Sequence, residues 1–363
     1  MRINGQKFHT IWADNNKPET VMVIDQNKLP FDFSITKLET FNDAFEAIKT
    51  MLVRGAPLIG VTAAYGLYLA INAKNNDDGL NEFIAEKCDL MKTARPTAVN
   101  LAFAVDAMFN ALSDVQSVDI ARKIAFEKAS VLKQTEIDFC DKIGDHGLAL
   151  IEAISKKKNG ECVNILTHCN AGWLACIDWG TATAPIYKAH QKGINVHVWV
   201  DETRPRNQGS KLTAFELLQE GVPHTVIADN TGGHLMQHGL VDLVIVGSDR
   251  TTRTGDVCNK IGTYLKALAA HDNNVPFYAA LPSSSIDFSI SNGLNEIPIE
   301  ERHPDEVKYI EGKGGKVQVC PDGSPIANYG FDVTPARLVS GLITERGICA
   351  ANEKSILDLF PFD

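Results

Sequence analysis

From Cys162 onward the chain alternates short apolar runs with helical segments. The runs are CVNIL (162–166), NVHVWV (195–200), HTVIA (224–228), VDLVIVG (241–247) and PFYAAL (276–281), and LTAFELLQEG and NKIGTYLKALAAH lie between them. Runs that are apolar at nearly every position suit strands buried on both faces, and intervening helices are what bring consecutive strands parallel. The alternation therefore predicts a doubly wound, Rossmann-like parallel sheet. No G-x-G-x-x-G follows any of these strands, so no dinucleotide cofactor is expected.

The first part of the chain has a different rhythm. Short strands, among them VMVIDQNKL (21–29), give way to Phe41, Phe45, Ile48 and Leu52 at helical spacing. Gly55 ends that helix and Pro57 suits the first turn of the next. The stretch from Ala56 to Ile71 is apolar but shorter than the ~20 residues a membrane span needs, so it reads as a buried helix. Helical patterns continue to Leu112 and, after a polar joint at 112–119, from about Ile120 to Ile143. At 363 residues the chain exceeds the roughly 250–300 that one core usually reaches. The predicted fold class is α/β. A smaller, mainly helical N-terminal domain with a few short strands (1–130) precedes a Rossmann-like C-terminal domain (131–363).

Net charge is −10, and no cluster of Lys and Arg marks a nucleic-acid or membrane surface. The N-terminus lacks the apolar core of a secretory signal, so a cytoplasmic location is expected. Eight cysteines are scattered without a C-x-x-C pair, which supports neither a zinc site nor a disulfide framework.

Ligands of an open parallel sheet bind beyond the carboxyl ends of its strands. Polar residues crowd those ends here. They are Thr167-His168-Cys169-Asn170, Asp201-Glu202-Thr203-Arg204 with the following Pro205 to Gly209, Asp229-Asn230-Thr231, and Gly247-Ser248-Asp249-Arg250. A helix is then expected to open at Asn259-Lys260. Taken singly, each residue has an ordinary reading: a buried cysteine is a small hydrophobe, Asp249 a cap, Arg250 and Lys260 solvated ion-pair partners. Trp173 and Trp179 read as packing groups, His234 and His238 as structural. Coincidence on one sheet edge is what marks a site.

Seven segments, in order, carry a resemblance: RGAPLIG (54–60), RPTAVNL (95–101), THCNAG (167–172), DETRPRNQGSKLTAFEL (201–217), DNTGGHLM (229–236), GSDR with GDVCNKIGTY (247–264), and FDVTPARLVSGLITERG (331–347). The chain resembles the methylthioribose-1-phosphate isomerase family, related to regulatory subunits of the translation-initiation nucleotide exchange factor. The resemblance implies an aldose–ketose isomerase acting on a sugar 1-phosphate in methionine salvage, without cofactor or metal, as a homodimer. By position it implies Cys169 and Asp249 as the catalytic pair. It implies Arg54, Gly55, Ala56, Arg95, Gln208, Asn259 and Lys260 as substrate-binding residues.

The chemistry suits those roles. Arg54, Arg95 and Lys260 can neutralise a phosphate dianion, and backbone N–H groups of a helix starting near Asn259 can donate to it. The phosphate caps the anomeric oxygen, so ring opening needs help. A desolvated Asp249 can protonate the ring oxygen, and Cys169 can act as base at C2 if nearby cations lower its pKa. Hydride migration is the other route. Two stretches depart from the family pattern, Thr251-Thr252-Arg253-Thr254 with Cys258, and Trp173 with Cys176-Ile177-Asp178-Trp179. The alternatives are a sister isomerase acting on 5-deoxyribose 1-phosphate or, less favoured, ribose 1,5-bisphosphate, and a non-catalytic regulatory subunit.

Overall fold

The computed structural model describes residues 1–14, 16–95 and 99–361. Pro96, Thr97 and Ala98 of the RPTAVNL segment lie outside the described residues. A small hairpin of β1 (Arg2–Ile3) and β2 (Gln6–Lys7) comes first, then an antiparallel sheet of β3 (Ile11–Ala13), β4 (Val21–Ile24) and β5 (Ile35–Leu38). Helix α1 (Phe41–Lys49) starts with a capping box in which Thr40 and Asp43 satisfy each other's backbone N–H groups. α2 (Ala56–Asn72) is buried from Pro57 to Ile71, as a helix apolar on every side must be. It lies among α1, α3 (Leu80–Lys92), α4 (Val99–Leu112) and α5 (Val118–Lys157).

Helix α5 is 40 residues long. Ala121, Ala125, Ala129 and Ile137 pack into the N-terminal core, whereas Ile143, Leu148 and Ile151 pack into the core of the C-terminal sheet. Position 130/131 therefore falls inside a continuous helix with one end in each core.

The C-terminal sheet contains β6 (Val163–Thr167), β7 (Val196–Asp201), β8 (His224–Ile227), β9 (Leu243–Val246) and β12 (Phe277–Ala280), as the apolar runs predict. Between them come α6 (Trp173–Cys176), α7 (Ala184–Gln191), a π-helical turn at Gly209–Thr213 leading into α8 (Ala214–Gln219), α9 (Gly232–Gln237) and α10 (Thr263–Asp272). β17 (Gly341–Thr344) adds a further parallel strand and β18 (Gly347–Cys349) an antiparallel edge, giving the seven-stranded order β18-β17-β12-β9-β6-β7-β8. Both late strands come from a segment too short and mixed to show strand periodicity.

A second, four-stranded sheet joins β13 (Ile286–Asp287), β10 (Arg250–Thr252), β11 (Val257–Lys260) and β16 (Phe331–Thr334), while β14 (Tyr309–Gly312) and β15 (Gly315–Gln318) form a hairpin. This corrects one expectation. Asn259 and Lys260 do not open a helix; they end β11, where they pair with Asp332 and Phe331. The helix starts only after Gly262, whose φ of 101° makes the turn, and Asp332 accepts from the N–H groups of Gly262 and Tyr264.

Among the described residues no helix is long and apolar enough to cross a membrane.

Candidate active site

β6 and β9 are adjacent in the sheet, but β7 follows β6 on one side and β12 follows β9 on the other. Their carboxyl ends therefore flank the switch point, where open α/β sheets bind ligands. Cys169 lies just past β6 and Asp249 just past β9. Both line one hollow together with Arg54, Gly55, Ala56 and Asn259.

Cys169 has a φ of 68°, a left-handed conformation that costs a residue with a β-carbon about 1–3 kcal/mol unless its surroundings hold it. They do. Its N–H donates to Thr203 Oγ1 at 2.9 Å, and its carbonyl accepts from Thr213 Oγ1 at 2.7 Å. The thiol is buried, 3.9 Å from Arg54 Nη2 and 3.8 Å from Gln208 Oε1. Burial pushes its pKa up, Arg54 and Lys260 pull it back, and Asp249 raises it further; the net direction is upward. The expectation that cations would lower it is thus reversed, because desolvation of a thiolate outweighs two nearby positive charges.

Arg54 places both terminal nitrogens 3.0 Å from the carbonyl oxygen of Asn170. Gly55, with φ 98°, lets α2 begin against α6: a β-carbon there would stand 2.4 Å from that of Ala175. The N-cap of α2 has no side-chain partner, and its first turn opens on the hollow. This is the helix N-terminus that faces the crevice, in place of the one expected at Asn259. Such a terminus favours an anion.

The remaining residues surround this point. Asn259 is buried and donates to Thr263 Oγ1 at 3.0 Å. Lys260 stands behind, its Nζ donating to Gly330 O at 2.9 Å and lying 4.4 Å from the ring centre of Phe331. Burial lowers its pKa, against the pull of Cys169 and Asp249. Asp249 is half-buried, and its N–H donates to Cys258 O at 2.9 Å. Gln208 lines an adjoining hollow that shares Arg54. Arg95 lines another that shares Asp249 and Ala56, and pairs with Glu300 at 3.2 Å.

Two strand tips serve as braces instead of lining the hollow. Asp201, fully buried at the end of β7, holds His168 Nδ1 at 2.9 Å and Lys266 Nζ at 3.2 Å. Asp229 accepts from the N–H groups of Thr203 and Arg204 at 2.7 Å each. His168, Asp201 and Asp229 lie close enough together to chelate a metal ion, but the Lys266 ammonium already pairs with the Asp201 carboxylate and donates to the backbone carbonyl of Asp229. Arg250 pairs with Asp287, and Arg253 with Glu353 at 3.2 Å near the surface. Trp173 is fully buried in the sheet core, as a packing group should be.

Residue-by-residue reading missed Glu216. Its carboxylate accepts from Asn170 Nδ2, the N–H groups of Trp173 and Leu174, and Tyr187 Oη, all between 2.9 and 3.0 Å. Burial pushes its pKa up to about 7 against those donors. The one sequence signal was an acid among the apolar residues of LTAFELL. Thr203 stands among the polar residues expected after the second strand, without a role of its own, and Thr213 is not singled out.

With this geometry, likeness to known proteins becomes informative. The profile of the initiation factor 2 subunit family matches residues 52–351. A methylthioribose-1-phosphate isomerase from Desulfatibacillum aliphaticivorans is 59% identical over 366 aligned positions, covering 99% of each chain. The chain belongs to the methylthioribose-1-phosphate isomerase family. A solved structure of 5-methylthioribose 1-phosphate isomerase from Pyrococcus horikoshii matches with a TM-score of 0.85 at 35% identity, covering 99% of this chain and 97% of that one. A structure titled translation initiation factor eIF-2B, subunit delta, from A. fulgidus matches with a TM-score of 0.82, also at 35% identity, over 98% of this chain and 100% of that one. The isomerase family thus shares its fold with proteins described as initiation factors. Fold alone does not separate the two activities.

Proposed function

We propose that this chain converts 5-methylthioribose 1-phosphate to 5-methylthioribulose 1-phosphate, a step of methionine salvage, with Asp249 as general acid and Cys169 facing C2. The enzyme class, an isomerase, follows from family membership at 59% identity. One observation carries the rest: Cys169, Asp249, Arg54 and the N-terminus of α2 meet in one hollow at the switch point of the sheet.

The phosphate dianion suits the first turn of α2, with Gly55 and Ala56 giving backbone approach and Arg54, Arg95 and Lys260 giving charge. Gln208 and Asn259 suit the sugar hydroxyls. Asp249 donates a proton to the ring oxygen as the bond from C1 to that oxygen breaks, leaving positive charge at C1 next to the phosphate oxygen. Hydrogen must then pass from C2 to C1. Burial favours a neutral Cys169 thiol at rest, which suits hydride migration with the thiol polarising C2 better than proton abstraction by a thiolate. The C2 hydroxyl then becomes the ketone, and its proton returns to the Asp249 carboxylate. The cycle closes with no net proton gained or lost.

The rival reading as a regulatory subunit is disfavoured by the presence of both Cys169 and Asp249 at facing strand ends. All eight cysteines are free, which suits a cytoplasmic location, and a second copy of the chain is the proposed partner in a homodimer. The test is to incubate the protein with 5-methylthioribose 1-phosphate and follow ketose formation by phosphorus and proton NMR. Folded protein that forms no ketose would overturn the reading and favour the regulatory-subunit alternative.

A further inference from the structure

His168 stands between two strand ends that strand pairing does not join. It follows β6 and precedes Cys169, whereas Asn259 and Lys260 end β11. β6 belongs to the seven-stranded sheet and β11 to the four-stranded one, so no ladder of hydrogen bonds sets the spacing between them. The His168 ring bridges that gap. Its Nδ1 lies 2.9 Å from the Asp201 carboxylate, and its Nε2 lies 2.8 Å from the carbonyl oxygen of Ile261, the residue after Lys260. Of the ten histidines, all within the described residues, it is the one that is buried, at 1% exposure.

Both partners of the ring are acceptors. A carbonyl oxygen has no proton to give, so Nε2 donates to Ile261. The Asp201 oxygen that faces Nδ1 also accepts from the Lys266 ammonium at 3.2 Å. The other Asp201 oxygen is buried without a partner, so a carboxylic proton placed there would be stranded. Asp201 therefore accepts, and Nδ1 donates to it. A neutral imidazole has one N–H and satisfies only one of these two bonds; the doubly protonated ring satisfies both. Its charge is offset by Asp201 and by Asp229, whose carboxylate lies 3.9 Å from Nδ1.

The backbone that the ring holds is the one that presents Lys260. The Ile261 N–H donates to Gly330 O at 3.1 Å, the Ile261 carbonyl accepts from His168, and the next N–H, that of Gly262, donates to Asp332 at 2.7 Å. Gly262 also packs directly on the ring: a β-carbon there would stand 3.1 Å from Cε1 and Nε2. We propose that His168 is a positioning residue, a ring donating from both nitrogens that fixes the strand end of Asn259 and Lys260 against the strand end of Cys169. Its effect on turnover rests on the isomerase reading; its two hydrogen bonds do not.

The first test is ring-nitrogen NMR of protein carrying nitrogen-15-labelled histidine, at neutral pH. As the buried histidine, His168 is the one whose ring protons exchange most slowly with water, and both of its nitrogens should carry a proton. A slowly exchanging ring with one bare nitrogen would overturn the proposal. The second test compares two variants. Asparagine reaches as far as Nδ1 and keeps the bond to Asp201; glutamine, one methylene longer, reaches as far as Nε2 and keeps the bond to Ile261. His168→Asn should raise KM for the sugar phosphate about 10- to 100-fold, with a smaller fall in kcat, because the Lys260 strand end is freed. His168→Gln should restore most of that KM. A residue that only supported the fold would lower the unfolding midpoint in both variants and leave KM unchanged. Folded His168→Asn with the KM of the wild type would thus overturn the proposal, and if neither variant folds the NMR result decides it. A wild type that shows both ring protons and forms no ketose would overturn the isomerase reading while supporting the tie.

Discussion

Glu216 accepts a hydrogen bond from the side-chain amide of Asn170 at 2.9 Å, and both residues are buried. Asn170 in turn offers its carbonyl to Arg54, and its neighbour Cys169 has its backbone held by Thr203 and Thr213. Glu216 is thus a positioning residue for the reactive strand end. Above its pKa of about 7 the ionised Glu216 only accepts, and Glu216→Gln then puts an amide donor where an acceptor stood. It should cost about 1–3 kcal/mol of stability in denaturant unfolding, and lower kcat as Arg54 loosens.

The same residue makes stability depend on pH. Its folded-state pKa of about 7 lies above the ordinary ~4.3, so the native state holds a proton that the unfolded chain releases. The stability this proton contributes is complete below about pH 4 and is lost as pH rises towards 7. Thermal unfolding across that window should show the loss in the wild type and a flatter profile in Glu216→Gln.

Gly55→Ala should damage binding and folding together. Alanine at φ 98° is strained, and its β-carbon would meet Ala175 at 2.4 Å. A destabilisation of about 1–3 kcal/mol is expected, with a raised KM because the first turn of α2 must shift. A calorimetric midpoint and a KM equal to those of the wild type would contradict the close approach described here.

Burial lowers the pKa of Lys260, so its charge is present below that lowered value and is lost as pH rises through it. Affinity for the phosphate dianion should therefore fall on the alkaline side before lysine's ordinary ~10.4 is reached. Titration calorimetry in a Cys169→Ser background keeps the thiol out of the measurement. Lys260→Arg should move the fall to higher pH, since arginine keeps its charge.

Asp249→Asn should lower kcat by about 10²- to 10⁴-fold, the usual loss with a general acid. Substrate deuterated at C2 separates the two routes. Deuterium retained at C1 of the ketose supports hydride migration, and its washout into water supports a proton route through Cys169.

The local sequence determined much of this protein. Val163–Thr167 and Leu243–Val246 read as strands because strands covered on both faces are apolar at nearly every position. Polar residues directly after such runs must then emerge at the carboxyl edge, which is why Cys169 and Asp249 are legible as neighbours. Tertiary structure decided the rest. Asn259 and Lys260 belong to a strand because β16, about seventy residues later, pairs with them, a contact no local pattern encodes. Glu216 looks like an ordinary helical acid until the N–H groups of α6 and the amide of Asn170 converge on it. The left-handed turn at Cys169 and the choice of α2 as the helix facing the crevice have the same origin. Periodicity records which face of an element is buried; which partner buries it, and how far desolvation shifts a thiol or an ammonium, depends on residues distant in the chain.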